Sequence, residues 1–185
     1  TIPEMSKGIG VSLPTATHAL NELIKGGLVK EIGKKDNSPG RIPMVYDLMP
    51  NAGYFVGVNP EMDCLAFAAS DFCGNLITKK IKVPYVYRNT PENLERLGEI
   101  INEFIAGLPI SKEEILQVCV NVAERVNPFE GKAYNMFTFL ENPLAEKLTE
   151  LIQLPVCIEN DTRSMAFAEF IKGCCKGMKD VIFGN

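Results

Sequence analysis

Leu154-Pro155-Val156-Cys157-Ile158-Glu159-Asn160-Asp161-Thr162-Arg163-Ser164-Met165-Ala166-Phe167-Ala168-Glu169 changes character halfway along. Val156–Glu159 is a short apolar run suited to a strand, and Thr162–Lys172 has the composition of a helix. Asn160 and Asp161 stand between them. Polar side chains at a strand-to-helix turn have two uses, and the two can coexist. They can cap the free N–H groups of the helix, or they can face a ligand. A carboxylate at a strand end can accept a hydrogen bond, or a proton, from a ligand hydroxyl. Taken alone, the residues favour capping.

Working back from this stretch, Pro143–Ile152 reads as a helix, and Ala123–Asn142 as a loop rich in Asn, Gly, Phe and Tyr. Ile115–Val122 is a buried strand preceded by Ser111 and Glu114 at capping-box spacing. Thr90 caps a helix through Ala106, with Pro91 at its first position and Leu94, Leu97, Ile100, Ile101, Phe104 and Ile105 on one face. Tyr54–Asn59, Cys64–Ser70 and Leu76–Pro84 form an antiparallel meander, and Val181–Phe183 begins a last strand. Three strands followed by alternating helices and strands describe an α/β lobe of ribonuclease-H-like form, the actin and sugar-kinase type, over residues 49–185.

Residues 1–48 are organised differently. Ile2–Lys7 is a short helix and Gly8 and Gly10 break it. Ser12 caps a second helix from Leu13 to Lys25, with Pro14 in its first turn and Ala16, Leu20, Leu23 and Ile24 facing the core. The opposite face offers Thr15, Thr17, His18 and Asn21, short polar side chains able to meet base edges. Leu28–Ile32 and Met44–Leu48 are strands around a polar turn carrying Lys34, Lys35 and Arg41. A helix, a turn, a second helix and a basic hairpin, in that order, predict a winged helix-turn-helix. Ser12, Thr15, Thr17, His18 and Asn21 would then sit at the major groove, and Lys34, Lys35 and Arg41 at phosphates or a narrow minor groove. That fold ordinarily has one more helix in front, so its first helix is expected to be truncated or disordered in this chain.

The 185 residues carry a net charge of −4. Lys7, Lys25, Lys30, Lys34, Lys35 and Arg41 against Glu4, Glu22, Glu31, Asp36 and Asp47 give residues 1–47 a net +1, which leaves −5 for the rest. A mildly cationic head on an acidic body still binds phosphate locally, because screening confines the body's field to about 10 Å. There is no signal peptide and no run near the roughly 18 apolar residues of a membrane span, so a soluble cytoplasmic protein is expected. Cys64, Cys73, Cys119, Cys157, Cys174 and Cys175 form no C-x-x-C pair, and several lie in apolar runs as small buried hydrophobes. Neither a disulfide framework nor a metal site is expected among them.

The sequence resembles the ROK family of repressors and sugar kinases over nearly its whole length. Leu154–Glu169 carries most of the resemblance: a strand, then Asn-Asp, then an alanine-rich helix closing with Glu. The loop Val122–Gly131 and Asn142-Pro143-Leu144 add to it. Ser12-Leu13-Pro14-Thr15 and Gly40-Arg41 are similar to the family's repressor branch. The resemblance implies that Asp161 takes the place of the base that deprotonates a sugar hydroxyl in the kinases, and Asn160 that of a residue holding the sugar.

Two departures stand out. ATP-using relatives carry Asp-x-Gly-x-Thr in the first hairpin, whereas this chain has Val58-Asn59-Pro60-Glu61-Met62-Asp63. Glu61 and Asp63 would repel phosphates, and Pro60 removes a backbone donor. The second is Ala123-Glu124-Arg125-Val126-Asn127, where the family has a small residue followed by Gly, so Glu124 weighs against the usual sugar contacts. The family's zinc cluster would fall beyond Asn185, and no cofactor is expected within this chain. The resulting expectation is a non-catalytic, sugar-responsive repressor. Its partners would be double-stranded operator DNA, a sugar or sugar phosphate, and further copies of itself in a homodimer or homotetramer. The alternative is an ATP-dependent hexose kinase using Asp161 as base.

Overall fold

The computed structural model describes residues 1–34 and 43–184. Lys35, Arg41 and the side chain of Lys34 lie outside the described residues. The chain divides into two compact units, one comprising Thr1–Gly53 with Asp71–Asn75, the other Tyr54–Ser70 with the chain from Leu76 onward.

In the first unit, α1 (Ile2–Ile9) begins at Thr1, whose hydroxyl donates to Glu4 Oε2 at 2.9 Å, and closes at Gly10 with φ 71°. Helix α2 (Leu13–Lys25) is capped by Ser12, whose Oγ accepts the Thr15 N–H at 3.3 Å. Strands β1 (Val29–Lys34) and β2 (Met44–Leu48) pair antiparallel, with a bulge between Glu31 and Gly33. Ala16, Leu20 and Val29 are buried and Ile24 is half-buried. Leu23, expected in the core, is exposed: the buried stripe of α2 is narrower than its apolar composition. Helix α1 also runs one turn-fraction further than Lys7, to Ile9.

The second unit is built on a five-stranded sheet in the order β5-β4-β3-β6-β9. Its strands are β3 (Tyr54–Pro60), β4 (Cys64–Asp71), β5 (Leu76–Pro84), β6 (Ile115–Val122) and β9 (Val156–Asn160). Strand β6 runs parallel to both β3 and β9, and β4 pairs antiparallel with β5. A two-residue hairpin, β7 (Val126–Asn127) and β8 (Lys132–Ala133), lies where the sequence shows only a loop. Helices α3 (Pro91–Ala106), α4 (Leu144–Ile152) and α5 (Asp161–Ile171) complete the unit.

Alternation along β6 fixes which face is covered. Val118, Val120 and Val122 are fully buried with Ile101 of α3, Leu148 and Ile152 of α4 and Ile158 of β9. Cys119, Asn121, Cys157 and Glu159 therefore share the other face. Helices α3 and α4 approach closely at Gly98, where an added Cβ would sit 3.1 Å from Leu151 Cβ. The strand expected over Val181–Phe183 does not form, because this apolar run finds no neighbouring strand to hydrogen-bond.

Candidate functional site

The polar residues of the second unit gather where β9 gives way to α5. Asn160 is the N-cap of α5, and its Oδ1 accepts the Arg163 N–H at 2.9 Å. Both hydrogens of its Nδ2 are also engaged, one by the Glu124 carbonyl at 3.0 Å and one by Asp161 Oδ1 at 3.3 Å. Asp161 is the first helical residue, and its Oδ1 further accepts from Thr162 N at 2.6 Å and Thr162 Oγ1 at 3.2 Å. Asp161 Oδ2 accepts no hydrogen bond among the described residues. The capping reading therefore holds for Asn160. The half-buried Asp161 keeps one carboxylate oxygen open at the positive end of a helix.

Glu124 behaves otherwise than its sequence position implies. Its carboxylate turns to the chain, accepting Asn135 N at 2.6 Å through Oε2 and Met136 N at 2.8 Å through Oε1. The next two amides are held in the same manner. Phe137 N donates to the Tyr87 hydroxyl at 3.0 Å, and Thr138 N to Asn89 Oδ1 at 3.0 Å. Four consecutive backbone N–H groups thus end on three side chains. Phe137 is almost wholly buried with φ 51°, a left-handed conformation that is rare for a bulky residue. Its ring packs edge-on against Tyr87, centroids 5.2 Å apart, which holds the conformation in place.

A polar chain joins α5 to the sheet face opposite the main core, beside this site. Ser164 Oγ donates to Asn121 Oδ1 at 2.7 Å, and Asn121 Nδ2 donates to Asn59 Oδ1 at 3.3 Å. Two arginines nearby are already engaged: Arg163 with Glu159 at 2.6 Å, and Arg125 over the Tyr134 ring at 4.6 Å. A cavity of about 600 Å³ runs along α5, bordered by Glu159, Arg163, Ser164, Phe167 and Phe170, and neither Asn160 nor Asp161 lines it. Sequence reasoning found Asn160 and Asp161. It missed Tyr87, Asn89, Asn121 and Ser164, which carry no motif and meet the site only through the fold.

The cysteines differ from expectation. Only Cys64 is buried, and Cys174 is exposed. Cys119 and Cys157 face each other in register across β6 and β9. The Cys119 thiol donates to Asn121 Oδ1 at 3.9 Å. The neighbouring Cys157 and burial push the Cys119 thiol up, while the neighbouring Cys119 holds the Cys157 thiol below the usual range. Among the described residues no group of three or more His, Cys, Asp or Glu side chains could hold a metal ion, and no helix is long and apolar enough to cross a membrane.

In the first unit, Thr15, His18 and Asn21 lie exposed along α2, with Ser12 exposed at its cap. Ser12 and Thr15 share a 2.8 Å hydroxyl contact, and Thr17 donates its hydroxyl to the Leu13 carbonyl at 2.8 Å. His18 and Asn21 keep side chains without a hydrogen bond among the described residues.

The comparisons with known proteins agree with this arrangement. The ROK family matches residues 64–184. A xylose repressor from Bacillus spizizenii is 24% identical over 98% of this chain and 47% of its own length. A glucokinase from Streptomyces coelicolor is 30% identical over 70% of this chain and 39% of its own. The chain thus spans about half the length of the curated repressors it matches. A solved ROK-family transcriptional regulator, a homologue of the E. coli MLC protein, superposes with a TM-score of 0.70 at 21% identity, covering 93% of this chain and 44% of that one. With the family matched over most of its residues, this chain belongs to the ROK family.

Proposed function

We propose that this chain carries the operator-reading head and the sugar-sensing lobe of a transcriptional repressor. The observation that carries the reading is the union, in one chain, of a helix–turn–helix–hairpin head with a lobe whose Asp161 keeps an open oxygen at a helix N-terminus. The head is a winged helix in which exposed Ser12, Thr15, His18 and Asn21 on α2, with Thr17 beside them, meet the major groove. Lys34, Lys35 and Arg41 meet phosphates. Operator binding places the protein in the cytoplasm, as a homodimer or homotetramer reading paired half-sites.

In the lobe, Asp161 accepts a sugar hydroxyl and Asn160 fixes its orientation. Glu159 and Asp161 set carboxylates there, and Arg163 and Arg125 are already engaged. Such a site suits a neutral sugar over a sugar phosphate. The repressor relatives take their name from xylose, which makes it the first sugar to try. Binding relieves repression by favouring one arrangement of heads, and so must differ in affinity between the two arrangements. Thermal shift of the intact protein against neutral sugars and their phosphates tests the lobe, with stabilisation expected only from a neutral sugar.

A second reading, a sugar kinase, is favoured by the likeness to glucokinase and by Asp161 in the position of a base. Against it stands the β3–β4 connection Asn59-Pro60-Glu61-Met62-Asp63, which offers a nucleotide two carboxylates and no Gly-x-Thr. Glucose consumption with ATP in a coupled assay separates the two.

A further inference from the structure

Glu124 touches both sides of the candidate site. Through its carboxylate it holds Asn135 N and Met136 N, residues 11 and 12 positions further along. Through its carbonyl it takes one hydrogen of the Asn160 amide. That bond fixes which way the Asn160 carboxamide is turned, with its oxygen toward Arg163 N and its second hydrogen toward Asp161 Oδ1. With Oδ1 so engaged, Asp161 presents Oδ2 to a ligand. The order of dependence runs from the 135–136 amides to Glu124, then Asn160, then Asp161.

We infer that Glu124 is a positioning residue for the sugar site, clamping the 135–136 backbone so that its own carbonyl locks Asn160 and aims Asp161. The inference rests on the sugar-sensing reading above. A carboxylate receiving two N–H bonds also has both of its oxygens engaged where it lies. Glu124 therefore organises the loop without confronting the ligand.

The test combines amide hydrogen exchange with sugar affinity in the intact protein, comparing wild type, Glu124→Ala and Glu124→Gln, with xylose and glucose as probes. In Glu124→Ala, exchange at Asn135 and Met136 is expected to accelerate while Phe137 and Thr138, held by Tyr87 and Asn89, stay protected. Sugar affinity should fall about tenfold, as for loss of charge-assisted hydrogen bonds. Glu124→Gln keeps one acceptor oxygen and turns an amide group toward the second N–H, so it should recover part of both. Unchanged affinity in Glu124→Ala beside a wild type that binds sugar overturns the inference and leaves the sensor reading standing. Equal exchange at all four amides, or none altered, also overturns it. A wild type that binds neither sugar, with the exchange pattern as expected, instead sinks the sensor reading and with it the role of the clamp.

Discussion

The side-chain amide of Asn160 reaches the main-chain carbonyl of Glu124 at 3.0 Å, joining the end of β9 to the loop that leaves β6. Because Asn160 also caps α5, one residue ties together a strand end, a loop and a helix start. Replacing it tests three side-chain bonds at once. Asn160→Ala should cost about 1–2 kcal/mol of stability, the range for a lost N-cap. Asn160→Asp keeps the cap oxygen but sets a charged acceptor against the Glu124 carbonyl and Asp161 Oδ1, so urea titration should show little recovery over Asn160→Ala.

Asp161 separates binding from folding. In Asp161→Asn the retained oxygen can still accept Thr162 N, so stability should change by less than about 1 kcal/mol. The charge offered to a sugar hydroxyl is gone, and sugar affinity measured by calorimetry should drop by about tenfold or more. A variant that binds sugar as tightly as wild type would remove Asp161 from the site.

Gly131 is required by its surroundings. Its φ is 66°, and an added Cβ would collide with Ala145 Cβ at the start of α4, where Ala145 N donates to the Gly131 carbonyl at 3.0 Å. Gly131→Ala should destabilise by about 1–3 kcal/mol through strain and overpacking. Adding Ala145→Gly removes the collision but not the backbone strain, so chemical denaturation should show partial recovery.

These sites differ in how far the sequence foretold them. Ser12, Thr90 and the Ser111/Glu114 box marked helix starts correctly, because a cap acts within three residues and leaves a local signature. The apolar run Ile115–Val122 likewise marked β6. The hold of Glu124 on Asn135 and Met136 was not legible, because its partners are backbone amides brought round by the β7–β8 hairpin, whose two-residue strands are too short to show a period. Val181–Phe183 looked like a strand because composition records apolar character and says nothing of a neighbour to pair with. Leu23 shows the same limit in a helix, since a small unit buries fewer positions than an apolar stripe offers.

The paired thiols on the α5 side of the sheet predict a difference in reactivity. Thiolate is the nucleophile, so the thiol held low reacts faster near neutral pH. Iodoacetamide should label Cys157 ahead of Cys119, as read by peptide mass spectrometry. Cys119→Ala, which removes the neighbouring thiol, should slow Cys157 labelling. Faster labelling of Cys119 at neutral pH would contradict the opposed shifts of the two thiols.

The head invites a comparison of two kinds of substitution. His18→Ala and Asn21→Ala remove groups assigned to base edges, each expected to cost about 1–3 kcal/mol on the operator and little on unrelated DNA. Lys35→Ala, a phosphate contact, should weaken both and reduce the salt dependence by about one unit of slope. Fluorescence anisotropy on operator and scrambled duplexes distinguishes them.

The measurement closest to the central claim is anisotropy of the intact protein on its own upstream DNA, at two salt concentrations, with and without xylose and other neutral sugars. A repressor that senses sugar binds that DNA in a salt-sensitive manner, releases it on addition of one neutral sugar, and ignores the same sugar in an Asp161→Asn variant. Binding no stronger than to scrambled duplex, or operator binding that no sugar alters, would contradict the account.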